Sequence, residues 1–376
     1  MKKKIQQIVI ILASLVMGVA IGISIMTFLI SYLGEDFSFG EYMLYLCGFL
    51  LLFYAVYFVH IIAHEAGHLI FGLLTGYKFC SFRIGSAIIV KEDGKYKLKN
   101  YSLAGTGGQC LMAPPEMREG KVPYVLYNFG GVIINLIIGA VCLVLFLALP
   151  EATFLSVALI MSVFIGFFTA ATNGIPMQTG LVSNDGYNAL SLGKDEDALR
   201  SFYCQLKVNE YVTKGVRLRD VPEELFVVRD GASLANPLNN TMLVFTCNRL
   251  IDEHRFAEAR FEIEKLLGNE NVLGVHKNML VCDLVFCKLL VGEAESAANM
   301  LDKGQKRFMA AMAKNPSILR TWYSYALLFE KDEAKAKKYK ADFEKNAAVY
   351  PYKGDIESER ELMLAAEEKA AEKEIL

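Results

Sequence analysis

The sequence has no surplus of positive charge: 39 Lys and Arg face 41 Asp and Glu, a formal net charge of −2. Nucleic-acid binding leaves a basic footprint, so no nucleic acid is expected among the partners. Cysteine is present at positions 47, 80, 110, 142, 204, 247, 282 and 287, but without the paired spacing of a thiolate zinc site. No disulfide framework is expected either. Histidine is scarce, with five in 376 residues. Charge is scarce between Tyr42 and Tyr77, where Glu65 is the one charged residue.

What is abundant is apolar. Hydrophobic residues make up 54% of the chain and mean hydropathy is +0.32. They collect in the first half, in runs long enough to cross a bilayer. MKKK precedes a run too long for a signal-peptide core, read as a retained helix. Four transmembrane helices are expected, at about 8–30, 42–74, 124–149 and 153–175. Residues 75–123 carry eight Lys or Arg, whereas residues 31–41 and the link 150–153 carry none. Basic loops stay on the cytoplasmic side. Both termini and the 75–123 segment are therefore expected to be cytoplasmic, in a multi-pass protein of the cell membrane.

The expected fold class is an all-α polytopic membrane protein with a small membrane-associated β segment, about 80–110, and a cytoplasmic α-helical C-terminal domain. In the β segment, IIVKEDGKYKLKNY alternates in part, and Asp93-Gly94 is a hairpin signal. The domain division is 1–192, transmembrane, and 193–376, helical. Within the latter, 256–268, 294–308 and 333–347 are comparable amphipathic segments spaced near forty residues apart. That spacing is tetratricopeptide-like, although no full repeat signature accompanies it.

The chemistry gathers at His64-Glu65-Ala66-Gly67-His68. Residues four apart share a helical face, so His64 and His68 can converge on one zinc ion. Glu65 lies on the flank of that face, where it can act as base toward the attacking water without ligating. Starting from Met43, a helix reaches His64 after about 30 Å, near the cytoplasmic edge of the hydrocarbon. An acidic residue in such a helix usually serves a site. His60, one turn back, is read as packed or interfacial rather than a ligand.

A catalytic zinc needs a third protein ligand and an open position. With so few histidines, a carboxylate must be considered. The last apolar run ends in ATNGIPMQTGLVSNDGYNAL (171–190), where Gly174 and Pro176 break the helix before Asp185. Asp185 can fold back toward His64 and His68, or simply cap the next helix. Glu196 or Glu210 would be the third ligand in a different kind of membrane zinc enzyme. Asn135 lies in NFGGVIINLIIG (128–139), whose glycines permit close helix approach.

HEAGH in one membrane helix, GG-x-x-x-N in the next and N-G-I-P…D-G after the following one resemble the site-2 protease family, over about residues 42–190. The resemblance implies an intramembrane zinc endopeptidase holding one Zn2+. Its ligands would be His64, His68 and Asp185, with Glu65 as catalytic base. It implies a site-supporting or substrate-binding role for Asn135, a bend at Asn173 and Pro176, and a strand for extended substrate around Gly107 and Gly108. The substrate would be a membrane-tethered protein or peptide precursor. The family's N-P-D-G or L-D-G reads S-N-D-G here, which leaves Asn184 without an assigned role. There is no room for the family's frequent PDZ domain, so the C-terminal helices are expected to select substrate or dock a protein partner. The competing expectation is a catalytically idle membrane scaffold that recruits partners through those helices.

Overall fold

The computed structural model describes residues 2–33, 38–92, 94–101, 106–149, 153–179 and 182–375. The chain forms two compact units. One comprises Met1–Lys78, Gly105–Cys110 and Lys121–Lys194; the other comprises Phe79–Ala104, Leu111–Gly120 and Asp195–Leu376.

In the first unit, α1 (Lys2–Leu33) is followed by α2 (Phe39–Leu74), α3 (Tyr124–Ala148) and α4 (Phe154–Gly174). Among the described residues, α2, α3 and α4 are long and apolar enough to cross a membrane, and α1 carries the shorter apolar stretch Leu15–Ser31. Three candidate spans thus stand where the sequence suggested four. The sequence signals for their ends are visible. Ser38 and Glu41 form a capping box at the start of α2, and Thr153 and Ser156 do the same for α4. Leu51 and Leu147 remain more than 70% exposed. Large apolar side chains turned outward along a helix are expected of a surface that meets lipid. Inside, Phe28 of α1 meets Phe49 of α2 edge-on, with ring centroids 5.6 Å apart, beside buried Val157 and Met161 of α4.

Glycine sets how closely α2 and α3 cross. A Cβ on Gly130 would lie 2.4 Å from the Gly67 carbonyl oxygen, and one on Gly67 would lie 2.3 Å from that of Gly130. The backbones therefore touch directly, one residue before His68.

After α4 come the short antiparallel strands β5 (Gln178–Thr179) and β6 (Val182–Ser183), then α5 (Asp185–Ser191). A four-stranded sheet is built from β1 (Lys78–Ile84), β2 (Ala87–Glu92), β3 (Lys95–Asn100) and β4 (Gly108–Ala113), in the order β3-β2-β1-β4. The expected hairpin is the β2–β3 pair, closed by Glu92 opposite Lys95, with Gly94 at φ +77°. Asp93 lies outside the described residues. Ile88, Val90 and Glu92 point to the buried side of β2, as strand alternation requires. Glu92 gathers Lys97 at 2.9 Å and Lys353 at 2.5 Å, which together bring its carboxyl down to about 2 against the raising effect of burial.

The second unit continues with α6 (Glu196–Thr213), α7 (Pro237–Asp252), α8 (Phe256–Leu267), α9 (Gly274–Leu290), α10 (Ala294–Asn299), α11 (Lys303–Ala311), α12 (Pro316–Tyr325), α13 (Glu333–Ala347) and α14 (Lys353–Ile375). Helices α7 and α8 are adjacent in sequence and joined by a short turn, as are α9 and α10. The amphipathic segment at 294–308 is two helices rather than one. The first ends at Asn299 with Met300 as its cap, and Asp302 starts the second, its carboxylate accepting from the Gln305 amide at 2.7 Å. Leu280, Phe286, Ile263 and Ile318 form the centre of the core.

Candidate metal centre

Helix α2 puts His64 and His68 on one face, and α5 brings Asp185 to them. His64 Nε2 lies 3.0 Å from Asp185 Oδ2, His68 Nε2 lies 3.5 Å from it, and the two Nε2 atoms are 3.2 Å apart. Among the described residues this is the one group of three His, Cys, Asp or Glu side chains whose ligating atoms come together, all within 4.8 Å. Bonds of about 2.0–2.1 Å in a tetrahedron place neighbouring donors about 3.3 Å apart, so the triangle has the dimensions of one zinc face. Two imidazoles and a carboxylate are also a donor set that zinc accepts, with a fourth position left open.

Asp185 avoids serving as a helix cap because Asn184 takes that place. The Asn184 side-chain oxygen accepts from the amides of Tyr187 at 2.9 Å and Met177 at 3.0 Å. Its NH2 donates to the carbonyls of Thr172 at 2.8 Å and Ile175 at 2.7 Å. One side chain thus satisfies the broken end of α4 and starts α5. Asp185 becomes the first helical residue, with its carboxylate left for the histidines. Burial favours its neutral form, but hydrogen bonds and charge from His64 and His68 hold the carboxyl well below the usual carboxylate range. A Cβ on Gly186 would lie 2.0 Å from the Gly174 carbonyl oxygen, so α5 abuts the end of α4.

The imidazoles are held from behind. The Tyr127 carbonyl accepts from His68 Nδ1 at 2.7 Å, which leaves Nε2 facing Asp185. Asn135 Nδ2 lies 3.3 Å from His64 Nδ1, and Asn135 Oδ1 lies 3.2 Å from His60 Nδ1. His60 is 1% exposed and reaches Ser162 Oγ at 2.9 Å through Nε2. It therefore lies in a hydrogen-bonded chain behind His64 and not among the converging donors. Gly131 leaves room for the His64 ring, since a Cβ there would fall 2.5 Å from Nδ1.

Glu65 lies beside the triangle and outside it. Strand β4 runs against it: a Cβ on Gly108 would fall 2.6 Å from Glu65 Cγ and 2.7 Å from Oε1. A Cβ on Gly107 would lie 3.4 Å from Ile61, an ordinary contact distance. The Tyr127 hydroxyl donates to the Cys110 carbonyl at 2.9 Å, so one tyrosine holds both His68 and the start of β4. Asn173 donates to the Thr169 carbonyl at 2.9 Å, within its own helix. Glu196 and Glu210 are engaged elsewhere, Glu196 3.9 Å from Arg229 and Glu210 2.6 Å from Lys214.

Gly108→Ala tests the fit of the strand against the carboxylate. The added methyl displaces Glu65 but touches no ligand atom. Bound metal should match the wild type, because the three converging donors are left in place. Metal analysis of the purified variant checks this.

The sequence matches Peptidase family M50 over residues 51–340, more than half of the chain. No curated protein and no solved structure matches it.

Proposed function

Because the chain belongs to peptidase family M50, the site-2 protease family, and is thereby a metallopeptidase, we propose that it is an intramembrane zinc endopeptidase. It hydrolyses a peptide bond of a membrane-tethered protein or peptide precursor near the cytoplasmic leaflet. The convergence of His64, His68 and Asp185 beside Glu65, at the end of an apolar helix, carries this reading.

His64 and His68 would hold zinc through Nε2 and Asp185 through a carboxylate oxygen. When bound, the ion supplies Lewis acidity for the attacking water and the scissile carbonyl. Glu65 takes the proton of that water and delivers it to the leaving amine. Asn135 and Tyr127 orient the imidazoles. Gly108, with no side chain, lets an extended substrate lie beside β4 close to Glu65. Strand addition to β4 would draw the substrate out of helical form, where its peptide bonds are shielded.

The helix α1 adds a fourth crossing, and both termini face the cytoplasm. A cysteine placed at Lys95 should react with a membrane-impermeant thiol reagent in opened cells only; reaction in intact cells would reverse the orientation. The helices after residue 193, a repeat-like array, select substrate or dock a protein partner. Comparing membrane proteomes of cells carrying the wild type and Glu65→Gln tests the activity. Fragments present in the first and absent in the second are expected, and identical proteomes would count against a peptidase.

A further inference from the structure

Behind the three metal donors, polar side chains from α2, α3 and α4 meet in a buried chain whose far end the proposed chemistry does not use. His60 is 1% exposed and Asn135 0%. His60 sits one turn before His64 on the same face of α2. Its Nδ1 lies 3.2 Å from Asn135 Oδ1 and its Nε2 lies 2.9 Å from Ser162 Oγ, so both ring nitrogens are engaged. Ser162 Oγ in turn accepts from Cys142 Sγ at 3.3 Å. A glycine makes room for the ring: a Cβ on Gly166 would lie 2.9 Å from His60 Cε1 and 2.9 Å from the Asn135 carbonyl oxygen. Ionisable side chains inside spanning helices are costly and usually serve a site.

The near end of the chain is His64. A histidine that ligates through Nε2 keeps its proton on Nδ1 and needs an acceptor beyond it. Of the two ends of the Asn135 amide, only the oxygen accepts. The NH2 is the end that lies 3.3 Å from His64 Nδ1, and it also donates to Thr169 Oγ1 at 3.0 Å. The Thr169 hydroxyl donates to the Ile165 carbonyl at 2.7 Å, so it offers Asn135 a lone pair and favours that orientation. A half-turn of the amide exchanges oxygen and NH2 in place and turns the oxygen to His64 Nδ1. The NH2 then needs an acceptor on the other side, which is where His60 Nδ1 stands. An imidazole meets that need. With its proton on Nε2, donating to Ser162 Oγ, its Nδ1 is free to accept.

Resting on the zinc site proposed above, we infer that His60 is a positioning residue for His64. It holds the Asn135 amide with the oxygen toward His64 Nδ1, which keeps the His64 proton there and leaves Nε2 for the metal. His60 is not one of the converging donors and acts through Asn135. An apolar side chain in its place would fill the space between the helices but leave Thr169 to set the amide, against ligation.

The test is zinc affinity of the purified full-length protein in detergent, measured by competition with a chromophoric chelator. His60→Leu should lower it about 10- to 100-fold, the usual worth of a group that orients a ligand. His60→Met, which adapts to an irregular gap, is the second apolar variant in case leucine prevents folding. His60→Asn puts an amide oxygen near the position of Nδ1 and should restore affinity to within a few-fold of wild type. A residue that served packing alone would show no such rescue. Asn135→Leu should lower affinity by itself, and adding His60→Leu or His60→Met should cost little more, because the same link is already cut. Wild-type affinity in a folded apolar variant, equal losses in the apolar and asparagine variants, or losses that add in the double variant would overturn the inference. Asp185→Ala separates the two levels: zinc lost there while the His60 series stays at wild-type affinity sinks the His60 role alone, and zinc retained there sinks the ligand set together with it.

Discussion

Glu65→Gln is expected to leave the protein folded and carrying one zinc ion while cleavage falls by about 10²–10⁴-fold, the usual worth of a positioned acid–base group. The reasoning is geometric. Glu65 is next to His64 in sequence but is not one of the three donors that converge. Glutamine fills the same space against Gly108, so helix packing and the ligand triangle should stay as they are. What it lacks is the ability to accept a proton and return it. A loss of metal in this variant would make Glu65 a ligand; near wild-type turnover would remove it from the chemistry. Metal analysis and a cleavage assay on the same purified sample separate these results.

Asp185→Ala should act at the other level, by emptying the site. Two imidazoles on one helix face cannot by themselves enclose the ion. Metal affinity should drop by more than about 10²-fold, since even supporting residues around a ligand are worth 10–100-fold, and cleavage should go with it. Helix α5 should survive, because Asn184 and not Asp185 caps it. Glu196→Ala is the matched control and should retain full metal content, since Glu196 faces Arg229. Metal lost from Glu196→Ala and kept in Asp185→Ala would move the third ligand elsewhere.

Much of the membrane part was legible in the chain because hydrophobic runs and the four-residue histidine spacing are local signals. Helices α2, α3 and α4 begin and end within about three residues of the expected bounds. The turn at Gly94 likewise announced the β2–β3 hairpin. The sheet order β3-β2-β1-β4 was not legible, since pairing between distant strands leaves no period in the sequence. The same limit hid what holds the site. His68 is set by the carbonyl of Tyr127, a backbone group 59 positions away that any residue could supply. Asn184 looked like a departure from the family pattern, yet it binds four backbone groups across the break. His60 looked like a packed histidine, and it is buried. Its link through Asn135 to His64 depends on the spacing of α2 and α3, which the touching glycines 67 and 130 determine. Gly108 was singled out for substrate contact; its proximity to Glu65 appears only once β4 is placed.

The most direct measurement is the zinc K-edge X-ray absorption spectrum of the purified Glu65→Gln protein, loaded with one equivalent of zinc and free of turnover. Two imidazole nitrogens and a carboxylate oxygen, all at about 2.0–2.2 Å, are predicted, with the same loading failing in Asp185→Ala. Sulfur scatterers near 2.3 Å, or an unchanged spectrum from an Asp185→Ala protein that still holds zinc, would contradict the site on which the account depends.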